Sequence, residues 1–102
     1  MKIPSKIKIG GKTYAVEITN FLSLGVANYS AEIVYGEQVI RVSPNHQEKM
    51  EADFLHEMMH GIMDFLGYKD HDEKQVDELA QALYMVIKDN EEMFRIESKQ
   101  ND

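Results

Sequence analysis

Residues 45–67 read NHQEKMEADFLHEMMHGIMDFLG, and this stretch decides how the rest of the chain is arranged. At its centre His56, Glu57 and His60 form the pattern H-E-x-x-H. On a helix, side chains four residues apart lie on one face, with Cβ atoms about 5–6 Å apart. Both imidazoles can therefore reach one metal ion, while Glu57, about 100° further round the helix, can contact a water on that metal. The pattern is typical of a zinc site with a glutamate base.

The flanking residues predict one long helix, from about residue 45 to residue 66. Asn45 with Glu48 resembles a capping box, and Gly67 is suited to end the helix in a left-handed conformation. The predicted apolar stripe lies beside the two histidines, which places them at the border of the core, where a half-buried metal site needs them. The alternative is that both histidines are solvated on the polar side of an ordinary amphipathic helix. The stripe consists of Ala52, Leu55, Met59, Ile62 and Leu66, widened by Met58 and Phe65.

Composition limits the class of protein. The 102 residues are close to the usual size of one domain, so we expect a single domain over residues 1–102. The net charge of −7 and the pI of about 5.0 argue against a nucleic-acid backbone or an anionic membrane as partner. The chain has no cysteine, no apolar leader in MKIPSKIKIGG and no stretch of membrane-spanning length, so we expect a cytoplasmic protein without disulfides. These features indicate no particular oligomeric state.

Two β-hairpins are predicted before the helix, with strands over about residues 5–42. In the first, apolar residues alternate with others on either side of Gly10 and Gly11, which form the turn. In the second, β-branched and aromatic runs flank a turn at Gly36 and Glu37. The fold class is therefore α+β: an antiparallel sheet of two hairpins, with three or four strands, followed by a two-helix hairpin.

Two parts of this sheet region have open interpretations. Residues 20–29 form either a short helical turn or a loop. Enzymes with H-E-x-x-H can pair an extended substrate backbone with a sheet edge beside the metal helix. Residues 38–42 are the candidate edge, because they lead directly into the helix. The alternative is that all strands serve only as a scaffold.

A second helix is predicted from about residue 71 to residue 96, after a short link. Asp70 with Glu73 makes another capping-box pattern. Because the link is short, the two helices should pack antiparallel as an αα-hairpin. Apolar residues recur on one face of this helix, at Val76, Leu79, Ala80, Leu83, Val86 and Ile87.

A protein zinc site needs a third ligand beside two histidines, with one position left for water. A third histidine in the metzincin pattern is excluded, because Met63 and Leu66 stand where that pattern has Gly and His. An acid from the second helix remains: Glu73 can approach the histidines, and Asp77 can accept the other N–H of a ligating histidine. The alternative is that both acids are solvated. The candidates for the third ligand are His71, Asp72, Glu73, Asp77 and Glu78.

H-E-x-x-H in one helix followed by E-x-x-x-D in the next resembles the gluzincin pattern of thermolysin-like peptidases. The run HGIMDFLGYKDHDEKQVDELAQALY, the small size and the two hairpins resemble the single-domain minigluzincins and the related small phage and prophage proteins of the ImmA/IrrE-like group. The resemblance covers most of residues 30–90. It implies a zincin-like fold in which His56, His60 and Glu73 bind Zn²⁺, Glu57 is the catalytic base and Asp77 orients His60.

The resemblance also implies a protein or peptide substrate, such as a phage or mobile-element repressor. The chain departs from the larger gluzincins because it lacks the second lobe whose His or Tyr steadies the oxyanion. Tyr68, His71 and Tyr84 are the local candidates for an oxyanion or substrate contact. In minigluzincins a C-terminal segment can cover the active-site cleft. Residues 93–96 are the candidate here, with an ordinary fraying helix end as the alternative.

Three functional hypotheses follow from these residues. The first is a zinc endopeptidase, in which Glu57 takes a proton from the attacking water and passes it to the leaving amine. The second is a zinc-binding module without hydrolysis, in which the metal links the helices and an acidic surface binds a protein partner. The third is a metal-free interaction protein whose histidines are fortuitous.

Overall fold

The computed structural model describes residues 1–20 and 30–94. In this part of the chain four strands come first, and two helices and one 3₁₀ turn follow them. The fold class predicted from the sequence, α+β with the sheet before the helices, is confirmed. The elements are β1 (Lys6–Ile9), β2 (Lys12–Ile18), β3 (Ala31–Val34), β4 (Val39–Val42), α1 (Gln47–Phe65), α2 (Glu73–Asp89) and η1 (Glu91–Phe94).

The strands form one sheet in the order β1-β2-β4-β3. Both predicted hairpins are present, since β1 pairs antiparallel with β2 and β3 pairs antiparallel with β4. Gly10 and Gly11 form the first turn with φ angles of 58° and 90°, a conformation that side chains disfavour. The hairpins join through a parallel pair, β2 with β4, so the sheet is mixed where the sequence predicted an antiparallel one.

This strand order corrects the prediction that residues 38–42 form the sheet edge. β4 lies inside the sheet, between β2 and β3, so its peptide groups are already paired on both sides. The described edges are β1 and β3. Proximity in sequence to α1 does not make a strand an edge, because pairing between the two hairpins is a long-range event that neither hairpin encodes.

Helix α1 packs on the sheet with one face and on α2 with another. Leu55 is buried as predicted, and Phe54, outside the predicted stripe, is equally buried. Gly61 lies on the sheet side: a Cβ there would be 2.9 Å from Ile9 Cδ1, so α1 approaches the sheet closely at this point. Phe65, at the exposed end of α1, is 60% accessible, although the stripe included it.

Helix α2 uses only part of its predicted apolar face. Val76, Ala80 and Ile87 are buried, whereas Leu79 and Val86 are 45% and 40% exposed. The buried residues lie along the line of contact with α1, and the exposed ones lie beside it. Neither α1 nor α2, the described helices, combines the length and the apolar character needed to cross a bilayer.

The N-terminal caps differ from the predicted capping boxes. Helix α1 begins at Gln47 after His46, whose side chain makes no cap bond, and the Asn45 side chain accepts from the His46 backbone N–H at 2.8 Å. Helix α2 is capped by Asp72, whose carboxylate accepts from the Gln75 N–H at 3.2 Å, rather than by Asp70. The cap position therefore lies one residue later than predicted in α1, at His46, and two residues later in α2, at Asp72; both cap residues have extended backbone angles.

The helix ends are also defined by local contacts. Gly67, with φ of 95°, follows α1, and the Tyr68 N–H donates to the Met63 carbonyl at 3.1 Å, so the predicted stop is confirmed. Helix α2 ends at Asp89 rather than near residue 96. Of the segment predicted to cover the cleft, residues 93 and 94 belong to η1 and are exposed, and residues 95–96 lie outside the described residues.

A buried polar contact ties α2 to α1. Glu51 is only 4% exposed, and its carboxylate accepts from the Tyr84 hydroxyl at 2.8 Å and from the Gln47 amide at 2.9 Å. Burial, and then the bond to Glu51, raises the pKa of Tyr84. The phenol is therefore held in its neutral, donating form.

We expect Tyr84→Phe to lower the free energy of unfolding by about 1–3 kcal/mol, because it leaves a buried carboxylate oxygen without its donor. Urea denaturation of the parent and the variant measures this change. Tyr68→Phe is the matched control, since Tyr68 is 55% exposed, and its effect should stay within about 0.5 kcal/mol. If Tyr84→Phe and Tyr68→Phe had the same free energy of unfolding, that result would contradict a stabilising hydrogen bond between Tyr84 and Glu51.

Candidate metal centre

Three side chains meet at the junction of α1 with the start of α2. Helix α1 presents His56 and His60, one turn apart, and Glu73 is the first residue of α2. His60 Nε2 lies 3.0 Å from one Glu73 carboxylate oxygen, and His56 Nε2 lies 3.4 Å from the other. One ligand atom from each of the three residues lies within 4.8 Å of the other two. The structure therefore brings together the residues that the sequence predicted as ligands.

The donor set is suited to zinc. Two imidazole nitrogens and one carboxylate are a recurrent ligand set of catalytic zinc sites, and they leave a fourth position free. The side chains of His56 and His60 are mostly covered, with exposed fractions of 24% and 14%, whereas Glu73 is 67% exposed. A cation bound here would therefore be accessible to solvent on the side of Glu73.

Asp77 contacts His56 at the ring nitrogen that does not face Glu73. Its Oδ1 lies 3.3 Å from His56 Nδ1, and its Oδ2 accepts from the Gln81 amide at 2.8 Å. A carboxylate at this position favours a proton on Nδ1 and leaves Nε2 free for a metal. The resemblance assigned this role toward His60. The structure corrects the partner to His56, because Asp77 lies one turn into α2, level with the earlier of the two histidines.

His60 is held by a different partner. Its Nδ1 lies 2.8 Å from His71 Nδ1, and His71 Nε2 lies 2.9 Å from the Tyr68 carbonyl oxygen. Burial lowers the pKa of His60, which favours the neutral imidazole that a metal requires. Of the other two residues predicted to contact an oxyanion or substrate, Tyr68 has an exposed ring, and Tyr84 gives its hydroxyl to Glu51. An oxyanion role for any of these three stays a prediction.

Glu57 shares a cleft with two of the three candidate ligands, His56 and Glu73. The cleft has a volume of about 300 Å³, and its wall includes Ala31, the first residue of β3, and the preceding Ser30. Burial raises the pKa of the Glu57 carboxyl to about 7, Glu73 adds to the rise, and His56 opposes it. A carboxyl group with a pKa near neutrality is suited to exchange protons at the pH of most cells.

A second groove lies between the two helices and shares His56 and Asp77 with the first cleft. It has a volume of about 400 Å³, and its polar groups are largely paired with one another: Lys49 with Asp53 at 2.8 Å, and Asp77 with Gln81 at 2.8 Å. Small and apolar side chains complete the wall, namely Ala52, Ala80 and Met85. The groove therefore offers space beside the candidate metal site, and its charged side chains are paired.

Three residues of this region were not predicted from the sequence. Tyr35 donates its hydroxyl to the His60 carbonyl oxygen at 3.3 Å, and burial raises its pKa to about 12. Ser30 and Ala31 line the cleft at the sheet edge that β3 forms, whereas β4 lies inside the sheet. No local signal marks these residues, since their positions depend on how the second hairpin packs under α1.

The chain matches no protein-family model, no curated protein and no solved structure.

Proposed function

We propose that this protein is a zinc-dependent peptidase. The observation that carries the proposal is the convergence of His56, His60 and Glu73 beside the half-buried carboxyl group of Glu57. Three ligands support metal binding, and an adjacent carboxyl group that does not belong to the ligand set supports proton transfer.

Each residue has a separate task in this proposal. His56, His60 and Glu73 hold the cation. A zinc ion bound there supplies a Lewis acid, which polarises the scissile carbonyl and makes a nearby water more acidic. Glu57 accepts the proton that the attacking water gives up as its oxygen bonds to the carbonyl carbon. The same carboxyl group then delivers that proton to the amide nitrogen as the C–N bond breaks.

The substrate is proposed to be an extended protein or peptide segment that lies along β3. This strand is a described edge of the sheet, and Ala31 lies in the same cleft as His56 and Glu57. An edge strand presents peptide N–H and C=O groups on its free side, and an extended backbone can pair with them. The docking strand in this proposal is therefore β3 rather than residues 38–42.

A second candidate function is a zinc-binding module in which the metal is structural. The observation that favours it is the origin of the ligands, since two come from α1 and one from α2. A cation held between them links the two helices, and a small domain gains stability from such a link. The two candidates share the metal and differ only in hydrolysis.

The test is a cleavage assay on protein purified without an affinity tag. We expect about one zinc per chain by elemental analysis, and cleavage of a mixed peptide library that stops when a chelator removes the metal and returns when zinc is restored. Zinc binding without cleavage would favour the structural role. A chain that binds no zinc would leave the metal-free interaction protein as the remaining hypothesis.

A further inference from the structure

We propose that His71 is a positioning residue for the metal centre. Its Nδ1 accepts a hydrogen bond from the Nδ1–H of His60, and its Nε2–H donates to the Tyr68 carbonyl oxygen, which holds the His71 ring in place. His60 therefore presents Nε2 to the cation. The inference rests on the proposed metal site and is independent of hydrolysis. It assigns to the link between α1 and α2 a role in orienting a ligand.

The anchor of this arrangement is the backbone at the end of α1. The left-handed conformation of Gly67 lets the Tyr68 N–H donate to the Met63 carbonyl at 3.1 Å, which sets the direction of the following peptide group. The Tyr68 carbonyl oxygen lies 2.9 Å from His71 Nε2. A carbonyl oxygen can only accept, so His71 Nε2 must carry the proton and donate it.

The tautomer of His71 then determines which nitrogen of His60 carries a proton. A neutral imidazole has one donor and one acceptor nitrogen, so a proton on Nε2 makes His71 Nδ1 the acceptor. His60 Nδ1 lies 2.8 Å from that acceptor and must carry the shared proton. With a cation bound, the His60 Nε2 lone pair is available to it, and the Glu73 carboxylate oxygens that would share the cation lie 3.0 and 3.1 Å from this nitrogen, so the two acceptors then face the cation rather than each other.

The opposite arrangement is disfavoured by the same contacts. If His60 Nδ1 were the acceptor, a neutral His71 would place its proton on Nδ1 and turn an unprotonated Nε2 toward the Tyr68 carbonyl. Two acceptors would then face each other at 2.9 Å. The backbone carbonyl thus selects one tautomer of His71, and His71 selects one tautomer of His60.

The two histidine ligands are therefore oriented by different chemistry. Asp77 faces His56 Nδ1 with a charged carboxylate at 3.3 Å, whereas His71 faces His60 Nδ1 with a neutral ring. The cleft already holds Glu57 and Glu73. A neutral acceptor fixes the direction of His60 without adding another negative charge.

The experiment compares zinc affinity in three variants by competition with a chromophoric chelator. His71→Phe keeps a planar ring but has no acceptor, and we expect zinc binding about 10–100-fold weaker than in the parent. His71→Asn places Oδ1 two bonds from Cβ, the position of Nδ1 in histidine, and should stay within about threefold of the parent. His46→Phe is the control, because His46 is exposed and lies outside the site, and its affinity should not change.

A second measurement uses the parent chain alone and needs no variant to fold. In the zinc-loaded protein, ¹⁵N-¹H correlation of the imidazoles should show His60 protonated at Nδ1 and His71 protonated at Nε2. Urea denaturation of each variant in chelator separates a loss of folding from a loss of zinc affinity.

The inference is overturned if His71→Phe binds zinc as tightly as the parent, if His71→Asn is as weak as His71→Phe, or if His71 is protonated at Nδ1. Those results would leave the peptidase proposal standing, provided that the parent cleaves peptides. Zinc binding by the parent without cleavage would overturn the peptidase and leave this inference intact. A parent chain that binds no zinc would overturn both.

Discussion

Replacing Glu57 by glutamine is expected to abolish peptide hydrolysis while zinc remains bound. Glutamine keeps the shape of the side chain but cannot take up a proton, so kcat/KM should fall by about 10²–10⁴-fold. Glu57 is not among the three converging ligands, so the metal content should stay at the parental value. The measurement pairs the rate of cleavage of a peptide found in the library assay with elemental analysis of the same sample.

The matched control is Glu78→Gln, which makes the same chemical change on α2. Glu78 is exposed and does not line the cleft that contains Glu57. This variant should cleave at the parental rate. The variant Glu57→Gln should also fold as stably as the parent, because burial opposes the charge of this carboxyl group. Cleavage by Glu57→Gln at the parental rate would remove the proposed mechanism.

Zinc is expected to raise the melting temperature of the parent, and Glu73→Ala should lose most of that rise. A ligand at 100 times its Kd stabilises the folded state by about 2.7 kcal/mol, which corresponds to about 10–20 °C for a domain of this size. Without Glu73 the site keeps only His56 and His60, and two ligands hold a cation weakly. Thermal unfolding with zinc and with chelator measures the difference.

Glu78→Ala is the control for this comparison, since it removes a carboxylate from the same helix outside the ligand set. Its zinc-induced rise should equal that of the parent. In chelator, Glu73→Ala should melt within a few degrees of the parent, because its carboxylate is mostly exposed. A full zinc-induced rise in Glu73→Ala would exclude Glu73 as a ligand and leave the two helices without a shared cation.

Together the two experiments separate the candidate functions. A structural zinc predicts that Glu57→Gln changes nothing, since the parent itself does not cleave, and that Glu73→Ala loses the thermal shift. A peptidase predicts loss of cleavage in both variants but loss of the thermal shift only in Glu73→Ala. The metal-free interaction protein predicts no thermal shift with zinc in any variant.

Local sequence determined the features that depend on neighbours in the chain. The spacing of His56 and His60 places them on one face of α1, because a helix brings residues four apart together. Gly10, Gly11 and Gly67 mark the first hairpin and the end of α1, because all three adopt positive φ. The order of elements and the α+β class follow from the change in hydrophobic period along the chain.

Only the tertiary structure decided which distant groups meet. The pairing of β2 with β4 placed β3 at the edge beside the cleft, and no residue of β4 signals that it is an inner strand. The rotation of α2 on α1 set Asp77 against His56, and the path of the link set His71 against His60. The same packing buried Phe54 and left Phe65 exposed. Helical spacing defines which residues share a face, whereas the partner of that face is set by how the helices and the sheet pack together, which short-range patterns do not encode.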